Sequence, residues 1–310
     1  MTLFTALSLL AVVTAITCSL PGTFLVVRHQ SMLVEAMSHA VFPGIVIGAL
    51  LSGSAHSPVM VVLATAMGML IVVGAEKARE SGLVTEDASQ GIIFPVLFAV
   101  GIVLLSTRLS SVHLSEAAVL SGELNLLALP SERWVIGTLD LGPQAMWMLL
   151  VVLLVDALFI AAAYRVLVVS AFDPNLARTL GLPARLVNLV LMVLVSLTVV
   201  VAFSTVGAIL VVALMIVPPA TARLLTHRIG TMIATSLVIS ATTALAGLWL
   251  AYLGDLATAP MMAFTDGAVF LLALLGKRLC QRRGSEAVVP QEVVSAHRKP
   301  ATVPCPAGQG

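Results

Sequence analysis

The sequence predicts an all-α, polytopic integral membrane protein with eight or nine transmembrane helices. Of its 310 residues, 59% are hydrophobic and only 10% are charged, and the mean hydropathy is +1.09. A soluble domain carries about 25% charged residues because its surface must face water. Apolar runs of about 20 residues, the length that a helix needs to cross a bilayer, recur along the chain and leave no room for a separate soluble domain.

The predicted spans form one membrane domain, residues 1–280, followed by a tail, residues 281–310. The spans cover residues 3–20, 32–52, 58–73, 91–106, 146–164, 186–203, 206–222, 231–253 and 261–275. The sixth and seventh runs are nearly continuous, so they form either two helices with a tight outer turn or one long broken helix. The tail is rich in Pro, Gly, Val and Ser without periodicity, which predicts a disordered cytoplasmic segment.

Basic residues in the short loops predict the orientation of the spans. Lys and Arg are enriched in cytoplasmic loops, and here they mark residues 28–30, 76–87, 165–185 and 223–230 and the segment after the last span. All of these clusters agree with one topology, in which the tail lies inside and nine spans leave the N-terminus outside. The long outer stretch, residues 107–143, has an apolar middle that suggests a half-inserted or surface-lying helix. The predicted location is the plasma (inner) membrane, in contact with lipid.

Composition and motifs exclude several classes of function. A net charge of +1 removes the basic surface that nucleic-acid binding requires, and the three scattered cysteines form no CxxC pair. The sequence contains no GxxxxGKS/T phosphate loop, no GxSxG and no HExxH. We therefore expect neither ATP hydrolysis nor peptidase activity from this chain.

Glu35 and His39 are the clearest ionisable pair inside a span. Charged side chains are costly in a bilayer and are functional candidates by default. A spacing of four places both on one helix face, where a carboxylate and an imidazole can converge on Mn, Fe or Zn. Two alternatives stay open: a hydrogen bond of the pair to each other or to a neighbouring helix, and a proton relay. Pro43 lacks the N–H that would bond the His39 carbonyl, so it either marks a hinge or frees that oxygen for the cation.

A stripe of small residues runs beside this pair. Ala36, Ala40, Gly44, Gly48 and Ser52 recur at every fourth position, a pattern that lets membrane helices approach closely. If this contact lies across a dimer axis, two copies supply two carboxylates and two imidazoles. One copy alone is under-coordinated.

The inner loop after the fifth predicted span carries its own helix signals. Asp173 is an N-cap residue, Pro174 occupies the first helical position and Gly181 falls just past the end. These signals predict a helix of about seven residues, which we interpret as a docking element. The alternative is an interfacial helix that lies on lipid, which Phe172 and Leu180 would also suit.

Three stretches together resemble the membrane permeases of ATP-binding-cassette importers for manganese, zinc and iron. Residues 35–44 contain an acid, Ser-His-Ala and Pro-Gly, and residues 86–91 form a Glu-Asp-x-x-x-Gly element before an apolar span. The third stretch covers residues 172–183 and continues through the span 206–223, which ends in Pro-Pro-Ala-Thr-Ala-Arg. The match extends over roughly residues 30–275.

The resemblance implies a transport function with separate partners, not an enzyme. Glu35 and His39 would be the metal ligands of the translocation path, although the family's acid is usually Asp. The coupling helix that seats in a separate cytoplasmic ATPase subunit would comprise Asp173, Pro174, Arg178, Leu180 and Gly181. The chain would bind no permanent cofactor. It would receive a divalent Mn, Zn or Fe ion from an extracytoplasmic metal-binding protein, and it would pair with a second copy or a paralogue. The predicted helix hinges are Pro43, Pro218 and Pro219.

Two other functions remain as alternatives. An ion-coupled secondary metal transporter would need no ATPase and would show inverted repeats with paired broken helices, but no other part of the chain matches residues 35–43. A permease for cobalamin or iron-siderophore chelates would need a wide passage without ligands. Its transport would not depend on Glu35 or His39.

Overall fold

A computed structural model describes residues 3–52, 58–80, 86–108, 133–136 and 139–286. These residues form ten helices and one short hairpin. The elements are α1 Leu3–Val27, α2 Ser31–Ser52, α3 Pro58–Glu80, α4 Glu86–Arg108, β1 Arg133–Ile136, β2 Leu139–Pro143, α5 Gln144–Phe172, α6 Pro174–Thr179, α7 Ala184–Val206, α8 Ala208–Leu225, α9 Ile229–Gly254 and α10 Thr258–Glu286.

The predicted all-α membrane architecture is confirmed. Within the described ranges, eight helices are long and apolar enough to cross a membrane, and α4 carries a shorter apolar segment, Ile93–Leu104. Large apolar side chains such as Leu154 and Leu158 on α5 remain exposed on the outside of the bundle. Because lipid is as apolar as these side chains, a membrane protein need not bury them.

Helix α1 lies at the centre of the bundle, where it packs against α5, α7, α8 and α9. Small polar side chains join it to α9: the Ser19 and Ser236 hydroxyls lie 2.6 Å apart, and Ser240 donates a hydrogen bond of 2.8 Å to the Ala15 carbonyl. Small residues allow two helix backbones to approach closely, and their hydroxyls can bond across the contact. The central position of α1 therefore follows from its small and hydroxyl-bearing residues as well as from its hydropathy.

The nearly continuous sixth and seventh predicted spans are two helices, α7 and α8, separated by Gly207 alone. Gly207 has φ 79° and ψ 166°, a combination that essentially only glycine adopts. Its N–H still donates to the Phe203 carbonyl at 3.0 Å and so closes the end of α7. The chain therefore reverses at a single residue.

The last part of the outer stretch contains two short strands, which the sequence analysis did not predict. Strands β1 and β2 pair antiparallel, with Ile136 opposite Leu139. The run Trp-Val-Ile at residues 134–136 has strong strand propensity. The apolar middle of this stretch, residues 117–120, lies outside the described residues.

Helix α10 continues to Glu286, into the segment for which the sequence predicts disorder. Lys and Arg are good helix formers, and several of them follow the last apolar turn. Lys277 anchors this end by donating a hydrogen bond of 3.0 Å to the Leu224 carbonyl of α8. Residues 281–286 are therefore helical, whereas residues 287–310 lie outside the described part.

Candidate metal site and docking helix

Glu35 and His39 lie one turn apart on α2, which packs between α3 and α4. The Glu35 side chain is exposed on the surface of the single chain, while its neighbours Val34 and Ala36 are buried. His39 is partly buried. The structure thus places the predicted pair along one open edge of α2.

Aromatic side chains of α4 hold the His39 imidazole. The ring stacks on Phe94, with centroids 5.2 Å apart and an interplanar angle of 18°, and Phe98 meets it edge-on at 5.5 Å and 77°. In the described part of the chain, no hydrogen bond links this imidazole to Glu35 or to a neighbouring helix. Metal-ligating histidines are usually oriented by a hydrogen bond, whereas the His39 ring is oriented by its stacking on Phe94.

The described part of one chain would supply an incomplete set of metal ligands. Among the described residues, no group of three or more His, Cys, Asp or Glu side chains could hold a metal ion. A structural Zn site has four ligands, so Glu35 and His39 would need further donors to hold a metal ion. Since a carboxylate facing lipid is costly, the exposed position of Glu35 favours an edge that faces a second subunit or a water-filled path.

The stripe of small residues does not mark a dimer axis, as the sequence suggested it could. A Cβ built on Gly44 would lie 2.5 Å from the Ala64 Cα, and one on Gly48 would lie 2.6 Å from the Met60 Cα. Both neighbours belong to α3 of the same chain. The stripe therefore serves the packing of α2 on α3, while Glu35 stays exposed and His39 stays partly buried against α4.

The three predicted hinge prolines lie inside continuous, buried helix segments. A Cβ on Gly101 of α4 would lie 3.0 Å from the Pro43 Cα, so α4 approaches the proline closely. In α8, Pro219 removes the N–H that would bond the Met215 carbonyl. Gly22 of α1 approaches that same carbonyl so closely that a Cβ would overlap it. The hinge role itself stays a prediction.

The structure contains the predicted helix in the inner loop, α6, with six residues instead of about seven. The Asp173 Oδ1 accepts hydrogen bonds from the backbone N–H groups of Asn175 at 2.9 Å and Leu176 at 3.0 Å. Gly181 has φ 68°, and its N–H donates to the Arg178 carbonyl at 3.0 Å. Side-chain capping at one end and a left-handed glycine at the other account for its length.

Helix α6 presents an apolar surface away from the protein. The side chains of Phe172, Leu176 and Leu180 are exposed, and Ala177 is buried against the rest of the chain. Arg178 is also exposed. A short, capped helix with apolar side chains outward can dock on another protein, and the same surface would suit lipid.

Two contacts, one at the site and one deeper in the bundle, carry little or no signal in the sequence. The spacing of four between Phe94 and Phe98 places both on one face of α4, but the sequence does not say that this face meets His39. Asp156 is buried and accepts a hydrogen bond of 2.8 Å from the Thr198 hydroxyl. The sequence does not indicate this partner, because hydroxyl-bearing residues are too common in the spans to single out one pairing.

Comparison with known proteins decides the family. The model of the ABC 3 transport family matches residues 2–277. The chain belongs to this family. The resemblance inferred from its motifs is thereby confirmed. Its eight apolar helices, together with membership of this family, make it a multi-pass protein of the cell membrane.

Relatives of this ABC 3 chain include two bacterial metal-transport proteins. It is 38% identical over 264 residues to manganese transport system membrane protein MntD of Bacillus subtilis, covering 85% of this chain and 88% of that protein. It is 39% identical over 267 residues to zinc transport system membrane protein TroD of Treponema pallidum, covering 86% of this chain and 72% of that protein. A solved structure of PsaBC from Streptococcus pneumoniae in complex with a Fab has a TM-score of 0.73 and 26% identity, covering 88% of this chain and 91% of that one.

Proposed function

We propose that this chain is the permease subunit of an ATP-driven importer for divalent Mn, Zn or Fe. The observation that carries the proposal is the pairing of a carboxylate and an imidazole on one open edge of a membrane-spanning helix. Both donor types suit these borderline metals. Relatives named for manganese and zinc transport support the same cargo.

The proposed pore forms between two permease subunits. Glu35 and His39 supply two donors per chain, so a second copy or a paralogue with equivalent residues would complete a site of four. Phe94 holds the imidazole in one orientation, which lowers the ordering cost of binding. In this proposal the ion is cargo that is held transiently, and no cofactor is bound permanently.

The energy for transport comes from ATP hydrolysis on a separate cytoplasmic subunit, which docks on α6. The exposed Phe172, Leu176 and Leu180 provide the apolar contact, and Asp173, Pro174 and Gly181 keep the helix folded before docking. An extracytoplasmic binding protein delivers the ion at the opposite end. The permease itself performs no chemical step.

The docking role of α6 predicts that Asp173→Ala weakens binding of the ATPase subunit. Losing an N-cap acceptor typically destabilises a helix by about 1 kcal/mol, so less of α6 is folded before docking. The measurement is the amount of ATPase subunit that copurifies with the tagged permease. Asp173→Asn is the matched control, because asparagine caps equally well. Equal copurification of both variants with wild type would contradict the docking role.

The proposed function is tested by reconstituting the permease in liposomes with and without its ATPase subunit. We expect uptake of Mn²⁺, Zn²⁺ or Fe²⁺ from the binding protein only when the ATPase and ATP are both present. Uptake without any nucleotide-hydrolysing subunit would contradict the proposal and favour an ion-coupled transporter. Elemental analysis of the purified complex identifies which metal is the cargo.

A further inference from the structure

The turn between α1 and α2 is a rigid junction. The His29 N–H donates to the Val26 carbonyl at 3.3 Å, and the Gln30 N–H donates to the Leu25 carbonyl at 2.9 Å. With His29 at φ 58°, these two bonds form a Schellman motif that ends α1. Arg223 of α8 adds a hydrogen bond of 2.8 Å to the Val26 carbonyl. The start of α2 is therefore held in a defined position relative to α1 and α8.

Arg28 in this turn bridges both stems of the loop that carries α6. Its Nη2 donates a hydrogen bond of 2.8 Å to the Ser170 hydroxyl, and its Nη1 donates to the Asn188 Oδ1. Ser170 lies three residues before the Asp173 cap, at the end of α5, and Asn188 lies in α7 just after the loop. The planar guanidinium holds two acceptors in fixed directions, which a lysine could not do.

The Arg28 side chain points into the protein, unlike a basic residue that only lies among the lipid headgroups at the inner side of the membrane. Its side chain is partly buried, and its buried Nε has no hydrogen-bond partner in the described part of the chain. Burial lowers the pKa of the Arg28 guanidinium, although an arginine stays charged in proteins. Burying a charge against neutral acceptors is costly, so a residue that only marks the inner side would lie in the headgroup region instead.

Arg28 is also connected to the ligand pair through a short, stiff path. Glu35 follows it by seven residues, most of them in the first turns of α2. A helix rises about 1.5 Å per residue and transmits displacement as one body. Movement of the α6 stems can thus reach Glu35 through a side-chain bridge and a rigid turn.

We infer that Arg28 is a positioning residue that couples the docking helix α6 to the metal-binding edge of α2. This inference rests on the proposed function, because it assigns a path between the ATPase contact and the cargo. The side-chain contacts of Arg28 are with Ser170 and Asn188 of the same chain. Through Arg28, a displacement of the end of α5 and the start of α7 moves α2.

The test is the number of ATP molecules hydrolysed per metal ion taken up by liposomes that contain the permease and ATPase subunits. For Arg28→Gln we expect ATP hydrolysis to continue while uptake falls, so that this ratio rises about tenfold, within the range typical of coupling between sites. A merely structural role would lower both rates together. Arg165→Gln is the matched control, because Arg165 is an exposed arginine near the same end of α5.

A second variant keeps the inference testable if Arg28→Gln does not yield folded protein. The double change Ser170→Ala with Asn188→Ala removes both acceptors and leaves Arg28 in place, and it should raise the same ratio. A ratio equal to that of wild type in these variants would overturn the inference, provided that wild type itself shows ATP-dependent uptake. If wild type shows no such uptake, the proposed function fails instead.

Discussion

Replacing Glu35 or His39 with alanine should abolish metal uptake while leaving the permease folded and bound to its ATPase. Among the described residues, Glu35 and His39 are the two donors that we propose on the open edge of α2, so either change would remove half of the chain's contribution to the site. Changes to residues that merely orient a ligand typically reduce metal affinity by about 10- to 100-fold, and loss of a ligand should have at least that effect. The measurements are liposome uptake and the metal content of the purified complex.

Two controls separate loss of a ligand from loss of charge. Asp255→Asn removes an exposed carboxylate after α9 at a residue with φ 51°, a conformation that asparagine tolerates as well as aspartate. His227→Ala removes an exposed imidazole from the loop after α8. Both controls should keep the wild-type metal content. Full uptake by Glu35→Ala and His39→Ala would contradict the metal-ligand role and favour a permease for metal chelates.

The substitution Glu35→Asp addresses the departure from the family's usual acid. It shortens the side chain by one methylene and keeps the charge, so transport should persist. We expect its metal preference to change, because the carboxylate moves relative to the imidazole that Phe94 holds. Competition between Mn²⁺, Zn²⁺ and Fe²⁺ during uptake is the measurement.

Gly22→Ala should have the largest effect on stability. The added Cβ would overlap the Met215 carbonyl oxygen, with the Met215 carbonyl carbon 2.9 Å away. Both are backbone atoms of α8, so relief requires the two helices to separate, not a rotamer change. Overpacking in a well-packed core destabilises a protein by about 1–3 kcal/mol and occasionally more. Because the clash is with backbone atoms, we expect a loss of stability at the upper end of that range. Thermal unfolding of the detergent-solubilised protein measures the loss.

Gly267→Ala on α10 is the control for this substitution. A Cβ at Gly267 meets nothing within 4 Å, and alanine is the better helix former by about 1 kcal/mol. Its melting temperature should equal or exceed that of wild type. If Gly22→Ala melts no lower than Gly267→Ala, the close approach of α1 to α8 is wrong. That approach also involves the carbonyl that Pro219 leaves without a helix donor, so the same variant tests the contact beside the predicted hinge.

Elements governed by local chemistry were predictable from the chain. Asp173, Pro174 and Gly181 mark the ends of α6 because capping depends on residues only a few positions apart. The spans follow from hydropathy, because a bilayer requires long apolar helices whatever their neighbours are. The two short strands β1 and β2 were not predicted, because they have only local propensity in their favour and no long apolar run.

Contacts between distant residues were not predictable in the same way. The small residues of α2 indicated a close helix contact, but Gly44 and Gly48 face α3 of the same chain and not a second copy. The spacing of four residues could place Glu35 beside His39, yet nothing local pointed to the stacking of Phe94 on the imidazole. Such pairings depend on which helices pack against each other, and helical periodicity does not indicate the neighbouring helix.

Membrane class, span positions, the shared helix face of Glu35 and His39 and the capped inner helix follow from composition and short-range spacing. Each depends on interactions between a residue and its solvent or its near neighbours along the chain. Packing of the bundle decided that Glu35 stays open, that α4 holds His39, and that Arg28 joins the stems of α6 to α2. Those features come from residues up to 160 positions apart, and only folding of the whole bundle brings them into contact.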